Sequence, residues 1–491
     1  MPGVNTDHIG SAPAAKPHRK FDKKWLVVCI LAIVVVIAGI LVNNNSNDNN
    51  AAKIAGLVDI DNGDLKIDWS RYTAQDIELA DTITITDSGI YHLTGSISNG
   101  SVLIDAGVKG EVKLILDNVY ISNTTGPAIS CTSGDDLVIE LIGHNTLRDG
   151  ASYDEALDED INGTVYSKAD LTFTGEGSLD ITANYQDAIV GKDDVKFSDG
   201  TYTISAADDG IRGKDSVYMV GGSFDIASGQ DAIKSTNDTD AGKGFVLIES
   251  GDLQISAGDD GIHGERVLIV QSGAVNIAKS YEGLESPKIL INGGNISILS
   301  SDDGINAGSS SSNTSSPKNN FDVDENCEIT INDGNIYINS SGDGIDSNGW
   351  TYFNGGTIMV DGPTNNGNGA LDSGAGIVMN GGTVVAVGSS SMVEAPGANS
   401  GVFSANIYFN TSLPANTKLE IKDSADNTII GHTTAKTFTN AVVGSAEFSF
   451  GNTYTIYING DKYQDFTIGD MVTIVGNSRT DINTMPQKTR K

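Results

Sequence analysis

Basic residues, proline, cysteine and aromatic rings are all scarce in this chain, and each shortage excludes something. Thirty Lys and Arg stand against 64 Asp and Glu, a formal charge of −34 over 491 residues. The first 24 residues hold five of the basic groups and two of the acids, which leaves 25 against 62, a net −37, for the rest. Such a surface repels nucleic acid and anionic lipid, so neither is expected as its partner. Three cysteines are too few for a disulfide framework. Cys29 lies in an apolar run, and the spacing alone does not say whether Cys131 and Cys327 pair. Only 10 prolines and 6% aromatic residues accompany 58 glycines. That mixture suits short strands and tight turns, and no long stretch of the polar part shows the 3.6-residue apolar period of a helix. The six histidines form no cluster.

One long apolar run is present near the start. Residues 25–42, WLVVCILAIVVVIAGILV, are 18 in a row without a charge. At ~1.5 Å per residue they reach about 27 Å, enough to cross a bilayer core. Arg19, Lys20, Lys23 and Lys24 flank only the N-terminal side, and no small-x-small cleavage site precedes the Asn-rich stretch that follows. The run therefore reads as an uncleaved single-pass anchor rather than a cleaved signal. Residues 1–24 become a cytoplasmic tail, 43–56 a polar linker, and the C-terminal bulk lies outside the cell membrane.

The bulk is organised by one recurring phrase, Asp208-Asp209-Gly210-Ile211. It returns as Gln230-Asp231-Ala232-Ile233, Asp259-Asp260-Gly261-Ile262, Asp302-Asp303-Gly304-Ile305 and Gly342-Asp343-Gly344-Ile345. Gln186-Asp187-Ala188-Ile189 and Tyr281-Glu282-Gly283-Leu284 are looser copies. From Ile189 onward the apolar marker advances by 22, 22, 29, 22, 21 and 40 residues. A nearly constant step with two enlargements is one unit repeated, sometimes carrying an insertion. Within a unit, Ile211, then Val217 and Met219, then Phe224 and Ile226 mark three short strands separated by turns, with Gly221-Gly222 forming one turn. Three strands per ~22 residues predict an all-β, right-handed parallel β-helix over residues 57–400. The 40-residue step holds a Ser-rich loop near residues 308–320, and an acidic stretch at 148–163 reads as another exposed loop. From Gly401 the alternating runs lengthen, so residues 401–476 are expected to form a β cap over the open end, followed by a flexible tail at 477–491.

Two positions before each marker stand Asp187, Asp209, Asp231, Asp260, Glu282, Asp303 and Asp343. Stacking at ~4.8 Å would set them in one outward file, where neighbours repel by about 3.5 kcal/mol at an effective dielectric of 20. Ca²⁺ bonds oxygen at ~2.4 Å, so an ion between two coils reaches both carboxylates. Asp302 doubles the charge, Glu285, Asp346 and Asp372 directly follow markers, and the glycine of the phrase would offer turn carbonyls as further ligands. Good turn chemistry is the bland account of Asp-Gly pairs, but it leaves the doubled acids unexplained. Arg212 and Lys234 occupy the position after the marker and could meet an anionic sugar chain, or simply balance surface charge. Trp350 and Tyr352 alternate with inward residues, so both should face solvent as flat surfaces for sugar rings, with Tyr218 at the matching place in an earlier coil.

The runs EGLESPKILINGGNISILSSDDGINAG, GDGIDSNGWTYFNGGTIMVDGP and NGALDSG resemble the carbohydrate-binding β-helix proteins of prokaryotic cell surfaces, whose fold is pectate-lyase-like. The resemblance implies binding of cellulose or of an acidic polysaccharide such as polygalacturonate. It also implies calcium ligands among Glu282, Glu285, Asp302, Asp303, Asp343, Asp346 and Asp372, and no catalytic residue. Two other readings stay open, a calcium-dependent polysaccharide lyase using Lys234 or Arg212 beside Asp231, and a structural adhesin.

Overall fold

Stacked coils make every residue of one turn a neighbour of its counterpart in the next. A computed structural model describes residues 56–61, 66–309 and 323–476. The tail at 1–24, the apolar run at 25–42, nearly all of the linker, most of the Ser-rich segment and the tail at 477–491 lie outside the described residues. Among those described, no helix is long and apolar enough to cross a membrane. The chain is all-β with mostly parallel pairing, and one short 3-10 turn, Trp69–Arg71, precedes the strands.

The marker residues build a 12-stranded sheet, all parallel, in strict chain order from Ile83–Ile85 to Leu371–Ser373. Its register pairs Ile189 with Ile211, then Ile233, Ile262, Leu284, Ile305, Ile345 and Leu371. The enlarged steps of 29 and 40 residues therefore leave the register intact, because the added residues fall between strands in the sequence. A second ladder joins Ser216–Met219, Phe245–Ile248, Val267–Val270, Lys288–Ile291, Glu328–Ile331 and Trp350–Phe353. A third runs through Ser223–Ser228, Asp252–Ser256, Ala274–Ser280, Asn295–Ser300, Asn335–Ser340, Thr357–Asp361 and Thr383–Gly388. The inward side chains of all three, Ile211, Val217, Met219, Phe224 and Ile226 in one coil, merge into a single continuous core. Cys131 and Cys327 are buried thiols of that core.

Turns are held by repetition of their own kind. Asn292 donates to Gln271 Oε1 at 2.6 Å, Asn332 to Asn292 at 2.7 Å, Asn354 to Asn332 at 2.8 Å and Asn380 to Asn354 at 2.8 Å. A side-chain amide both donates and accepts, so identical residues satisfy one another along the stack. The glycine pair after this corner supplies the backbone freedom: Gly222 and Gly294 have φ of 104° and 98°, a region closed to most side chains.

At Ser404 pairing turns antiparallel. Phe438–Ser445 pairs with the last coil strand, Thr383–Gly388, and with Ser404–Leu413, so the open edge of that ladder is taken up. A four-stranded antiparallel sheet follows. This module has its own core of Ile407, Leu419, Ile421, Phe438, Val443 and Ile456, reached by the outward face of the last strand through Val385 and Val387.

Asp361 fastens the module to the coils. Fully buried, it accepts Tyr337 Oη at 2.8 Å, Ala435 N at 2.9 Å and His432 Nε2 at 2.9 Å. Asp361→Ala strands those donors and should cost about 3 kcal/mol, whereas Tyr337→Phe should cost about 1 kcal/mol. Urea unfolding read by tryptophan fluorescence checks both, and equal, negligible losses would show that Asp361 is no latch.

Candidate functional site

The residues two before the markers do form one file, but not an outward one. Asp187, Asp209, Asp231 and Asp260 are 0%, 6%, 1% and 6% exposed. Asp187, Asp209 and Asp231 each accept a backbone amide of the next coil, and Asp260 faces the His263 ring. Asp209 N donates to Asp187 Oδ1 at 3.0 Å, Asp231 N to Asp209 Oδ1 at 3.1 Å, and Asp260 N to Asp231 Oδ1 at 2.9 Å. A second run of this ladder joins Asp343 N to Asp303 Oδ1 at 2.6 Å and Gly369 N to Asp343 Oδ1. The expectation of carboxylates lining the outside is thus corrected for Asp187, Asp209, Asp231 and Asp260, while Glu282, Asp303 and Asp343 are half-buried: alternation along a strand says nothing of a turn residue, whose side chain can follow an amide of the coil beyond.

The glycine carbonyls expected as ligands are also engaged. Gly210 O accepts from Ile189 N at 3.2 Å, Gly283 O from Ile262 N at 3.1 Å and Gly344 O from Ile305 N at 3.1 Å. Space rather than turn sharpness selects glycine here. A Cβ on Gly210 would lie 2.5 Å from Ala232 O and 2.7 Å from Ile226 Cγ2.

The position after the marker faces outward and makes a row in register: Tyr166, Val190, Arg212, Lys234, His263, Glu285, Asn306, Asp346 and Asp372. Three zones succeed one another along it. At the N-terminal end the acidic 149–163 segment folds over the row rather than standing free. Its Ile161 and Tyr153 pack on Tyr166 and Val190, Tyr153 stacks on Tyr185 at 4.3 Å, and Asn162 Nδ2 donates to Asp187 Oδ2 at 3.2 Å.

In the middle zone each buried acid meets a cation. Arg212 Nη2 pairs with Asp187 Oδ2, and Lys234 Nζ with Asp231 Oδ2. Desolvation presses the Lys234 ammonium down, but the charge of Asp231 and its hydrogen bond outweigh it, so its pKa lies above the ordinary lysine value. His263 Nδ1 lies 2.5 Å from Glu285 Oε2 and 3.3 Å from Asp260 Oδ2. Burial disfavours its charge, yet Asp260, Glu265 and Glu285 together push its pKa up to about 12. The nearer partner takes the benefit: Glu285 is held below its usual range, while burial dominates at Asp260 and drives it upward.

The third zone has acids alone. Among the described residues, no Lys, Arg or His forms an ion pair with Glu282, Asp303, Asp343, Asp346, Asp372 or Glu394. Burial is the first cause of the upward shift in every one, and neighbouring carboxylates add to it at all except Asp372. Glu282 rises to about 8, Asp303 to about 6, Asp343 to about 7, Asp346 to about 8 and Glu394 to about 7. Oxygens of Asp303, Asp343 and Asp346 lie within 4.8 Å of one another, as do those of Asp260, Glu282 and Glu285. Either set could hold a metal ion. Asp302 lies beside Asp303 and shares its field. Glu394 was not foreseen from the sequence. It follows the last regular coil, off the repeat, and accepts Ser373 N at 3.0 Å beside Asp372.

Trp350 and Tyr352 stand on the second ladder, not in this row. Their rings stack at 6.0 Å, Trp350 is 36% exposed, and Thr351 and Phe353 point inward as expected. Tyr218, though in the matching column, is buried, so no aromatic surface continues there. Four coils separate Lys234 from Trp350, about 19 Å at ~4.8 Å per coil, so the structure does not bring the four expected sugar contacts together.

Raised carboxylates fix the sign of a pH dependence. A folded pKa above the unfolded one, about 4, favours the protonated folded form, so the stability these groups contribute is fully present below pH ~4 and is lost as pH rises through about 6 to 8. In chelator, the melting temperature should therefore drop between pH 5 and pH 8.5. Asp346→Asn should raise it at pH 8.5 by at least ~2 °C and flatten the profile. Glu159→Gln, which removes an exposed charge, should leave the profile as it is, and equal effects of the two would mean net charge alone sets the slope.

Comparison with known proteins bears on the N-terminal coils. Residues 80–315 match a family described as carbohydrate-binding domain-containing protein. A relative of the same description from Acetivibrio thermocellus is 34% identical over 128 residues, 25% of this chain and 45% of its own length. The chain thus spans less than half of that curated relative. A solved structure, the gadolinium derivative of a polysaccharide lyase-like protein from C. thermocellum, is 32% identical with a TM-score of 0.37, covering 44% of this chain and 83% of that one. Over its N-terminal coils this chain is similar to proteins described as carrying a carbohydrate-binding domain.

Proposed function

We propose that the chain is a calcium-stabilised polysaccharide-binding protein of the cell surface. In this reading the coils wind as a right-handed parallel β-helix and residues 25–42 anchor it in the membrane with the coils outside. The observation that carries the proposal is the acid-only zone at Asp303, Asp343, Asp346, Asp372 and Glu394. Half-buried carboxylates crowded without a cationic partner are costly, and oxygen ligands at coil spacing suit a hard divalent cation such as Ca²⁺. A uronate sugar supplies the same oxygen chemistry, so an ion held there can take ligands from protein and polysaccharide together. Arg212 retains guanidinium donors beyond its bond to Asp187, and Lys234 stands one coil on, so both can meet further sugar carboxylates along the row. Trp350 and Tyr352 offer a separate stacking surface.

Binding is favoured over elimination by the state of Lys234. A general base must be unprotonated at working pH, and Asp231 holds this ammonium charged. Titration calorimetry on chelated protein should give Ca²⁺ heat and a higher melting temperature, both reduced at least tenfold or abolished in the Asp343→Asn/Asp346→Asn double variant. Polygalacturonate should then be retained in Ca²⁺ and released by chelator, without ultraviolet-absorbing product. Absence of Ca²⁺ heat would refute the ion site, and unsaturated product would make the chain a lyase.

A further inference from the structure

A cavity of about 320 Å³ opens where the last coils meet the C-terminal module. Its origin is a defect in pairing. Ser404–Leu413 and Phe438–Ser445 run antiparallel with Tyr408 opposite Asn440 and Leu413 opposite Phe438, so the four residues Phe409, Asn410, Thr411 and Ser412 face Thr439 alone. The surplus bows the first strand away from the second. Bulges of this kind free backbone donors and acceptors and re-aim side chains.

What the bulge exposes is chemically uniform. None of the cavity's 13 lining residues carries a formal charge, in a chain of which 19% is charged and where two or three would be expected by proportion. The walls are hydroxyls and amides, among them Asn366 and Ser389 from the loops after the last coils and Asn410, Thr411 and Thr439 from the bulge. The half-buried Tyr408 lines one side, and Phe409 and Phe438, crossed edge to face at 5.3 Å, reach the lining from the module's buried core.

We infer that this cavity is a second sugar site, taking an uncharged pyranose without a metal ion. Sugar hydroxyls donate and accept at once, as do Thr, Ser and Asn side chains, whereas carboxylates only accept. The apolar face of a sugar ring suits the half-buried Tyr408, and the volume sits at the lower end of the ~300–1,000 Å³ of small-ligand pockets, room for a chain end rather than a long segment. The site lies beyond residue 315, outside the region matched to the carbohydrate-binding family. It is independent of the acid row, so the two proposals can fail separately.

The test uses the full chain in detergent with excess chelator, which silences any cation-dependent binding. Calorimetry is run with β-1,4-linked hexasaccharides of glucose, mannose and xylose, and with the hexamer of galacturonate. At least one neutral hexasaccharide should bind, the uronate should not, and Asn410→Ala/Thr439→Val should weaken the neutral ligand tenfold or more. Both positions are accessible in the bulge, and an unchanged melting temperature confirms that the double variant is folded. No neutral binding in chelator, binding untouched by the double variant, or equal binding of the uronate hexamer would each overturn the inference.

Discussion

Parallel stacking at ~4.8 Å sets every residue over its counterpart in the next coil, and where a column repeats one residue type the consequences depend on what that type can do. Ile on Ile extends an apolar core. Asn on Asn makes a self-satisfying ladder, as the column from Asn292 to Asn380 shows. Asp on Asp has acceptors only, and like charges repel, so this column needs an outside partner at every step. The chain meets the need in three ways. One oxygen accepts the amide of the next coil. The other meets Arg212, Lys234 or His263 where those are present. Beyond Glu285, neutralisation is left to protons or to a cation from solution.

The repeat itself was readable from the primary structure because its marker is apolar and its turns are short. The two enlarged steps threatened the register, yet the pairing of Ile233 with Ile262 and of Ile305 with Ile345 holds, since residues added between strands leave the strands alone. Outward alternation after the marker was also legible. The burial of Asp209 and Asp231 was not, because a period of two describes strands and these residues sit at a corner. The asparagine ladder did leave a trace, an Asn closing the apolar strand in ILINGG, ITINDG, TYFNGG and IVMNGG. Asp361 and Glu394 left none. Their partners, His432 and Ser373, are distant or off-period, and only three-dimensional packing reveals them.

Charge along the outer row is segregated rather than mixed, and distance makes the segregation matter. Lys234 and Asp346 are four coils apart, about 19 Å, more than twice the ~8 Å screening length of physiological salt. The cationic zone therefore cannot neutralise the acidic one, however large its local field. An anionic polymer lying along the row would meet attraction at one end and repulsion at the other unless the acidic end holds cations. On the proposed reading, the zone of Arg212 and Lys234 would set where such a chain starts, and cations in the acidic zone would set how far it extends.

If the acidic zone takes a metal ion as proposed, protons and that ion would compete for the same oxygens at Asp343 and Asp346, whose pKa values are raised to about 7 and about 8. Below those values the carboxyls are neutral, the stack loses its repulsion, and the fold needs no ion. Above them the charge returns, and a divalent cation between coils would restore what the proton supplied. Acid would thus preserve the stack while removing the ion, and with it any sugar held through that ion. On this reading neutral pH would couple the two, so that the repulsion among these carboxylates would also be what lets this end of the stack hold a ligand.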